Sequence, residues 1–551
     1  MAEQAMRLPG TVGTGVHWRI HLGALGLALI MLPWSEFLLS LSQIILGVNW
    51  LWEGIATRDL GGRFKRGFTT KESAVFLSFF GLNLLGLLWT TDLKWGLDLC
   101  RILLPVFIFG SVLSTAPKLS ARQLRDLLLL GAWSATASTI ACLAMRHGVL
   151  AQGNYRELSP FISHIRLSLM LCFSIAVFVY YWPRTWLLRS AHVAAILLCL
   201  WFMDQLSSLI ALPVLAVLSL YFLWQLVRQR STAWRIAAVV VFIAGAAGST
   251  IYLRSCVQDY WHTDPTQLDH LDNASAGGEV YYHDLRDPQR ENGHYVWINV
   301  ADKEMKRTWD RRSDIKFLGK DKLGQPLRST LVRYLASMGM RKDSTGIQAL
   351  SPTDVERIEN GMTSVDEGRQ GAMRARIEQV LYELDTYRAS GDPNGHSVTM
   401  RMEFQRVGLG IAKEHWLTGA GTGDTQLAFD AAYAAEQSPL AGKWRLRAHN
   451  QYLTLLISFG VFGLLWSLFS WWWPAWRLNA FRHPLFIAWG IIFLLSCFSE
   501  DTLETQMGAT FFALYYALFV FAAPPIPCGT RNTSEDAKLF FDQAPRNAAG
   551  Q

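Results

Sequence analysis

The chain has 551 residues, 51% of them hydrophobic, with 23 Trp, 30 Phe and a formal net charge of +7. Long stretches between 18 and 254 and between 449 and 522 are nearly free of charge, which excludes a soluble globular enzyme and describes a chain built to cross a bilayer. The positive balance does not point to nucleic acid: from Cys256 to Ala448 there are 25 Lys+Arg against 28 Asp+Glu, and the surplus lies in short loops and at membrane ends.

The apolar runs predict an all-α polytopic membrane protein with about 12 transmembrane helices. Nine spans come first, at roughly 18–33, 36–55, 73–90, 95–114, 124–145, 161–182, 186–203, 205–226 and 233–254. Three follow the polar block, at roughly 449–473, 484–499 and 507–522. The first run has no small-residue cleavage site and is followed at once by another, so no cleavable signal is expected. The division is therefore 1–254, 255–448, 449–522 and a tail at 523–551.

Orientation follows from Lys and Arg. One set of short connections carries Arg58, Arg63, Lys65, Arg66 and Lys71, then Lys118, Arg122 and Arg125, then Arg184 and Arg189, Arg228, Arg230 and Arg235, and Arg477 and Arg482. The alternate set carries only Lys94, Arg146 and Arg156, and nothing around Asp204. Both termini and the tail are expected in the cytoplasm, with 255–448 outside, periplasmic in a Gram-negative cell. Of seven Cys only Cys256 lies clearly outside, so no disulfide framework is expected there. Neither an internal repeat nor metal-ligand spacing is visible.

The outer block reads as an α+β insertion between the ninth and tenth helices. Its first part has strand-like runs, 278–282 and 293–300. Its second part has helical spacing at 329–338, a helix opened by Ser351-Pro352-Thr353-Asp354, and another over 369–389. A solvated accessory domain and a glycan- or partner-binding domain both fit. A further helix begins at 396–401 and runs to about 416, followed by Leu417-Thr418-Gly419-Ala420-Gly421-Thr422-Gly423. Alternating glycines can aim backbone N–H groups at an anion, or simply end a helix in a tight turn. No Gly-Lys-Ser/Thr follows to make a nucleotide loop.

The topology gathers polar residues onto the outer face. Arg166 opens the sixth span, and Arg401 sits on the helix before the glycine turn. Trp444-Arg445-Leu446-Arg447-Ala448-His449-Asn450 leads into the tenth span, and Glu500, Asp501 and Glu504 fill the turn between the last two. Ionisable groups at membrane depth are costly and point to function. His449 is expected in the first turn of its helix, where the dipole disfavours imidazolium and the free N–H groups favour a phosphate. An anchoring histidine, salt bridges from Arg166 and Arg401 to the acidic turn or Asp204, and headgroup contacts from Arg445 and Arg447 are the structural alternatives. Asp98 and Arg101 read as a structural pair.

These pieces, in this order, resemble the O-antigen ligase / O-antigen polymerase superfamily of integral-membrane glycosyltransferases. The likeness rests on the Ser-x-x-x-Arg helix ending in a glycine turn (Ser397, Arg401, Gly419, Gly421, Gly423) and the Arg-Ala-His-Asn-Gln-Tyr-Leu start of the tenth span. One large outer loop before that span fits too, and the acidic turn 499–506 looks like a Bacteroidetes-type subgroup. The likeness covers most of the membrane part and leaves 260–395 unexplained. It implies transfer of a glycan from an undecaprenyl-diphosphate-linked donor to the lipid A core at the outer face of the bacterial inner membrane, with no nucleotide sugar, metal or other cofactor. It also implies His449 as the base and Arg401, with Arg166 and Arg447, as diphosphate-binding residues. Asn450, Glu500 and Asp501 would support them.

The chemistry is consistent with that resemblance. A diphosphate on the anomeric carbon leaves readily once its charge is neutralised, which guanidinium forks do well. A neutral imidazole would take the acceptor's proton, and with no nucleophile placed for a covalent intermediate the expected outcome is single-step inversion. A glycan polymerase or a protein O-oligosaccharyltransferase would use the same site with a different acceptor. A lipid-linked glycan transporter would instead line a path with its arginines, usually in related halves.

Overall fold

The structure, a computed structural model, describes residues 15–524 apart from 151–156, 229, 263–266, 270 and 367–371, with the backbone alone at 146–150 and 372. The expected tail from 525 onward, Arg156 and the side chain of Arg146 lie outside the described residues.

Each of the twelve expected apolar segments is helical. Seven are long and apolar enough to cross a membrane: Glu36–Ala56, Lys71–Trp89, Leu93–Thr115, Ala121–Met145, Trp186–Gln205, Thr232–Trp261 and Gln451–Arg477. Five are shorter: Val16–Met31, His164–Tyr180, Ala211–Val227, Pro484–Ser496 and Gln506–Ala522. The last two are short because they form the middle of the bundle. Phe486, Trp489, Phe493, Phe512 and Tyr516 are fully buried there, and the Phe493 and Phe512 rings lie 4.6 Å apart. Lipid offers no hydrophobic gain for such contacts, so close packing of flat rings is what holds these helices together. The fourth span is two helices, Leu93–Ile102 and Leu104–Thr115, with Pro105 in the first turn of the second. Between the second and third spans lies a short amphipathic helix, Leu60–Thr69. Its Arg63 pairs with Glu53 at 2.9 Å and its Arg66 with Asp59 at 2.5 Å.

Helix Thr232–Trp261 is 30 residues long, about 45 Å at 1.5 Å per residue, and continues beyond its apolar stretch to carry the polar domain. Its end is fastened by Asp259, paired with Arg374 at 2.9 Å, and by Trp261, whose ring lies 5.3 Å from the Arg290 guanidinium. The domain then has two cores. One gathers Val296, Val300, Trp309, Phe317, Leu331 and Tyr334, among others. The second joins Met400, Phe404, Val407, Phe429 and Tyr433 to Leu453 and Ile457 of the tenth span, so that part of the block is continuous with the membrane bundle.

The α+β reading of the insertion needs correction. Its only paired strands among the described residues are Arg290–Glu291 and His294–Tyr295, and the two strand-like runs otherwise make isolated bridges such as Tyr282 with Val300. The alternation is real, since Val296, Ile298 and Val300 are buried. Left-handed residues at Asn292, Gly293 and Asn299 turn the chain at both ends of the run, however, and no ladder propagates. The helices form as the spacing predicts, at Leu327–Ser337, Pro352–Glu359, Ala372–Ser390 and Ser397–Glu414. Ser351 and Asp354 make the reciprocal capping bonds that fix the start of the second.

Candidate active site

Helix Ser397–Glu414 buries Met400, Phe404, Val407 and Ile411 along one face, against Phe429, Tyr433 and the start of the tenth span. Arg401, one position from that face, is half-exposed and donates through Nη2 to Glu500 Oε1 at 2.8 Å. The structural alternative for this arginine, an ion pair to the acidic turn, is thus present in the protein.

The glycine turn beyond this helix is a buckle rather than an anion cradle. The Ala420 and Gly421 N–H groups donate to Ile457 O and Ser458 O at 2.8 and 2.9 Å, and Gly423 N–H goes to Thr90 Oγ1 at 3.2 Å. Val461 N–H in turn donates to Trp416 O at 2.8 Å. The tenth span breaks at Gly460, with φ 65°, to accept the turn. A Cβ on Gly419, which has φ 72°, would lie 2.3 Å from the Ser458 and Phe459 backbone. Asp424 completes the fastening by accepting from the Thr91 and Asp92 N–H groups at 2.7–3.0 Å.

His449 stands just before the tenth helix and not in its first turn. The helix begins at Gln451, and Asn450 is its N-cap, its side chain accepting from Tyr452 and Leu453 N–H. The first-turn dipole argument therefore applies only at one remove, and the role of Asn450 is to cap. His449 adopts φ 46°, a left-handed conformation costly outside glycine, because Ala448 on one side is buried and Asn450 on the other is committed to the cap. The imidazole is half-buried, 5.7 Å from the Phe404 ring, and among the described residues neither ring nitrogen is engaged in a hydrogen bond. Burial lowers its pKa below the ordinary 6.5, with Asp501 and Glu500 opposing and Arg401 and Arg447 adding to the shift.

The acidic turn is stitched to the same helix start. Gln451 N–H donates to Cys497 O at 2.8 Å, Gln451 Oε1 accepts from Leu503 N–H at 2.7 Å, and Thr454 Oγ1 donates to Asp501 at 2.7 Å. Arg447 pairs with Glu504 and lies 5.1 Å from the Trp95 ring centroid, so it is held within the protein and is no headgroup anchor. Burial pushes the Glu504 carboxyl up, against the pull of Arg447. Arg166, half-buried at the start of helix His164–Tyr180, feels the charges of Glu500 and Glu36 but makes no hydrogen bond or ion pair among the described residues.

The structure therefore brings together His449, Arg401, Arg447, Glu500, Asp501 and Glu504, with Arg166 within electrostatic reach of Glu500. Arg445 is used structurally, donating to Leu440 O at 3.0 Å. Asp98 and Arg101 pair at 3.2 Å, and Asp204 accepts from Gln205 instead of an arginine. Trp95, Phe404, Gln451 and Thr454 were not anticipated as part of the site. Gln451 and Thr454, three apart in an apolar helix, carry a signal that the sequence does contain. Beside the glycine turn, an apolar groove of about 1140 Å³ runs between the third and tenth spans, lined by Leu85, Trp89, Leu417, Phe462, Trp466 and Phe469, among others.

Residues 365–467, which include Arg401, the glycine turn, Arg447 and His449, match the model of a family described as O-antigen ligase. This segment is similar to the O-antigen ligase superfamily. No curated protein matches the chain. As an O-antigen ligase-type membrane protein its general activity is glycosyl transfer in lipopolysaccharide biosynthesis, with a lipid-linked glycan and an acceptor as partners in the general sense. The matched segment of this ligase-type chain excludes the first core of the polar domain, Arg166 and the acidic turn. The ligase motif thus supplies the histidine and two arginines, and the last inter-span turn supplies their counter-charges.

Proposed function

We propose that the protein moves a glycan from a polyprenyl (undecaprenyl) diphosphate to a hydroxyl of the lipid A core, at the outer face of the bacterial inner membrane. Arg401 and Arg166 hold the diphosphate, with the Arg401–Glu500 contact exchanged for phosphate when the donor arrives. Arg447, fixed between Glu504 and Trp95, contributes positive charge to the same end. Neutral His449 accepts the proton of the attacking hydroxyl. The new glycosidic bond forms at the anomeric carbon as the bond to the diphosphate oxygen breaks, and the arginines take up the charge of the leaving group. The apolar groove beside the glycine turn suits the prenyl chain.

The observation that carries this reading is a half-buried imidazole with unengaged nitrogens among the described residues, within electrostatic reach of Arg401 and Arg447. Single-step inversion is supported by the carboxyls. Asp501 accepts from Thr454 and Glu504 is buried against Arg447, which leaves neither placed as a free nucleophile. The test uses a strain lacking the gene, complemented with wild type, His449→Ala or Arg401→Ala at matched expression. Free lipid A core together with long lipid-linked chains in both variants is the expected result. Accumulation of single lipid-linked repeats would make the protein a polymerase, and wild-type lipopolysaccharide in both variants would remove the site.

A further inference from the structure

The part of the polar domain that precedes the ligase match contains a cavity of about 410 Å³, lined by Tyr282, Asp284, Asp287, Trp297, Asp302 and Arg328. We propose that this cavity is a second, non-catalytic glycan-binding site, which takes a short stretch of uncharged sugar. This goes beyond the transfer reaction and stands on the geometry of this domain alone.

Size and lining both point that way. Small-molecule sites run from about 300 to 1,000 Å³ and combine aromatic walls with a few placed polar groups. Here the rings of Tyr282 and Trp297 line the cavity, the latter with the Arg328 guanidinium over one face, and three carboxylates supply acceptors for hydroxyls. The walls are ordered before any ligand arrives. Trp297 donates through Nε1 to Gln289 Oε1 at 3.1 Å, and the Arg328 guanidinium sits 5.3 Å from its ring centroid. Arg328 is held in turn by two bonds to Asp302, at 2.7 and 2.8 Å. Tyr282 donates to Asp284 at 3.1 Å, and its backbone bridges to Val300 in the first core of the domain. A wall fixed in this way loses little entropy on binding, which is what a weak hydroxyl-rich ligand needs.

Charge narrows the ligand class. Arg328 pairs with Asp302 and Arg286 with Asp284 at 3.5 Å, which leaves the Asp287 carboxylate uncompensated, so a uronic acid or phosphorylated sugar is disfavoured. A cationic peptide would suit the charge, but the cation position over Trp297 is already occupied by Arg328. Asp287 has no ion-pair partner among the described residues; its Oδ1 accepts from Gln289 N–H at 2.9 Å, and its remaining acceptor capacity suits a hydroxyl.

The full chain in lipid nanodiscs would be tested by saturation-transfer NMR with neutral trisaccharides (maltotriose, mannotriose, chitotriose), trigalacturonate and tetralysine. We expect at least one neutral probe to bind, the two charged probes not to bind, and Trp297→Ala and Tyr282→Ala each to weaken binding about tenfold or more. Tyr282 is half exposed, so its variant keeps the test sound if Trp297→Ala fails to fold. His449→Ala should bind as wild type does, which separates this site from the transfer reaction. Failure of every neutral probe, equal binding by both aromatic variants, or preference for either charged probe would overturn the proposal.

Discussion

At the scale of single residues, the account turns on His449 and the charges around it. Its pKa is lowered mainly by burial, so the neutral base persists below pH 6.5 and is lost only at more acid pH. The acid limb of the transfer rate against pH is therefore expected below 6.5 in purified enzyme, and a limb above it would contradict the base role. Arg447 makes a different prediction. Its removal leaves Glu504 buried without its partner, which costs on the order of 3–5 kcal/mol only where the wild-type carboxyl is ionised. Burial pushes the Glu504 carboxyl up to about 7 even beside Arg447, so the cost relative to wild type is felt above about pH 7 and fades as pH falls below it. Thermal unfolding of Arg447→Ala against wild type at several pH values checks the sign, and a loss independent of pH would exclude Glu504 as its origin. The sequence made His449 and its arginines visible through their position at a membrane edge. It did not show that Arg447 faces Glu504, because that pairing joins residues 57 apart, whereas the Asn450 cap is local, two residues from its partner.

At the scale of elements, the glycine turn was the least legible feature. Its spacing fits a phosphate cradle as well as a turn, and what decides between them is the Gly460 break in another helix. Nothing near Gly419 in the chain marks that docking. The fold then makes a sharp prediction. Gly419→Ala forces a left-handed residue into the Ser458–Phe459 backbone and should cost roughly 2–5 kcal/mol of stability. Gly442→Ala, with nothing within 4 Å, should stay within about 0.5 kcal/mol of wild type. Comparable melting temperatures for the two variants in the same detergent would mean that the buckle is not structural. The strands of the insertion failed for a related reason. Alternation signals which residues are buried, but positive-φ residues at the run's ends decide whether a ladder can grow.

At the scale of the whole molecule, the twelve apolar runs gave the order of the apolar helices, seven of which are long and apolar enough to cross a membrane. The two short helices Pro484–Ser496 and Gln506–Ala522 are largely buried among other helices, which apolar runs alone do not reveal. Orientation rests on the alternation of Lys and Arg and is testable directly. A cysteine at Ser390, exposed in the polar domain, should react with an impermeant maleimide in intact spheroplasts, and one at Gly61 only after permeabilisation. The six described native cysteines are buried and give a low background. The reverse labelling pattern would place the site on the wrong side of the membrane for this function.

The most direct test of the central claim is transfer by purified protein in proteoliposomes, with an undecaprenyl-diphosphate glycan as donor and lipid A core as acceptor. The account predicts an inverted glycosidic linkage from wild type and a rate lower by about 10²–10⁴-fold for His449→Ala, with donor binding retained. Retention of configuration, or a His449→Ala rate equal to wild type, would contradict it.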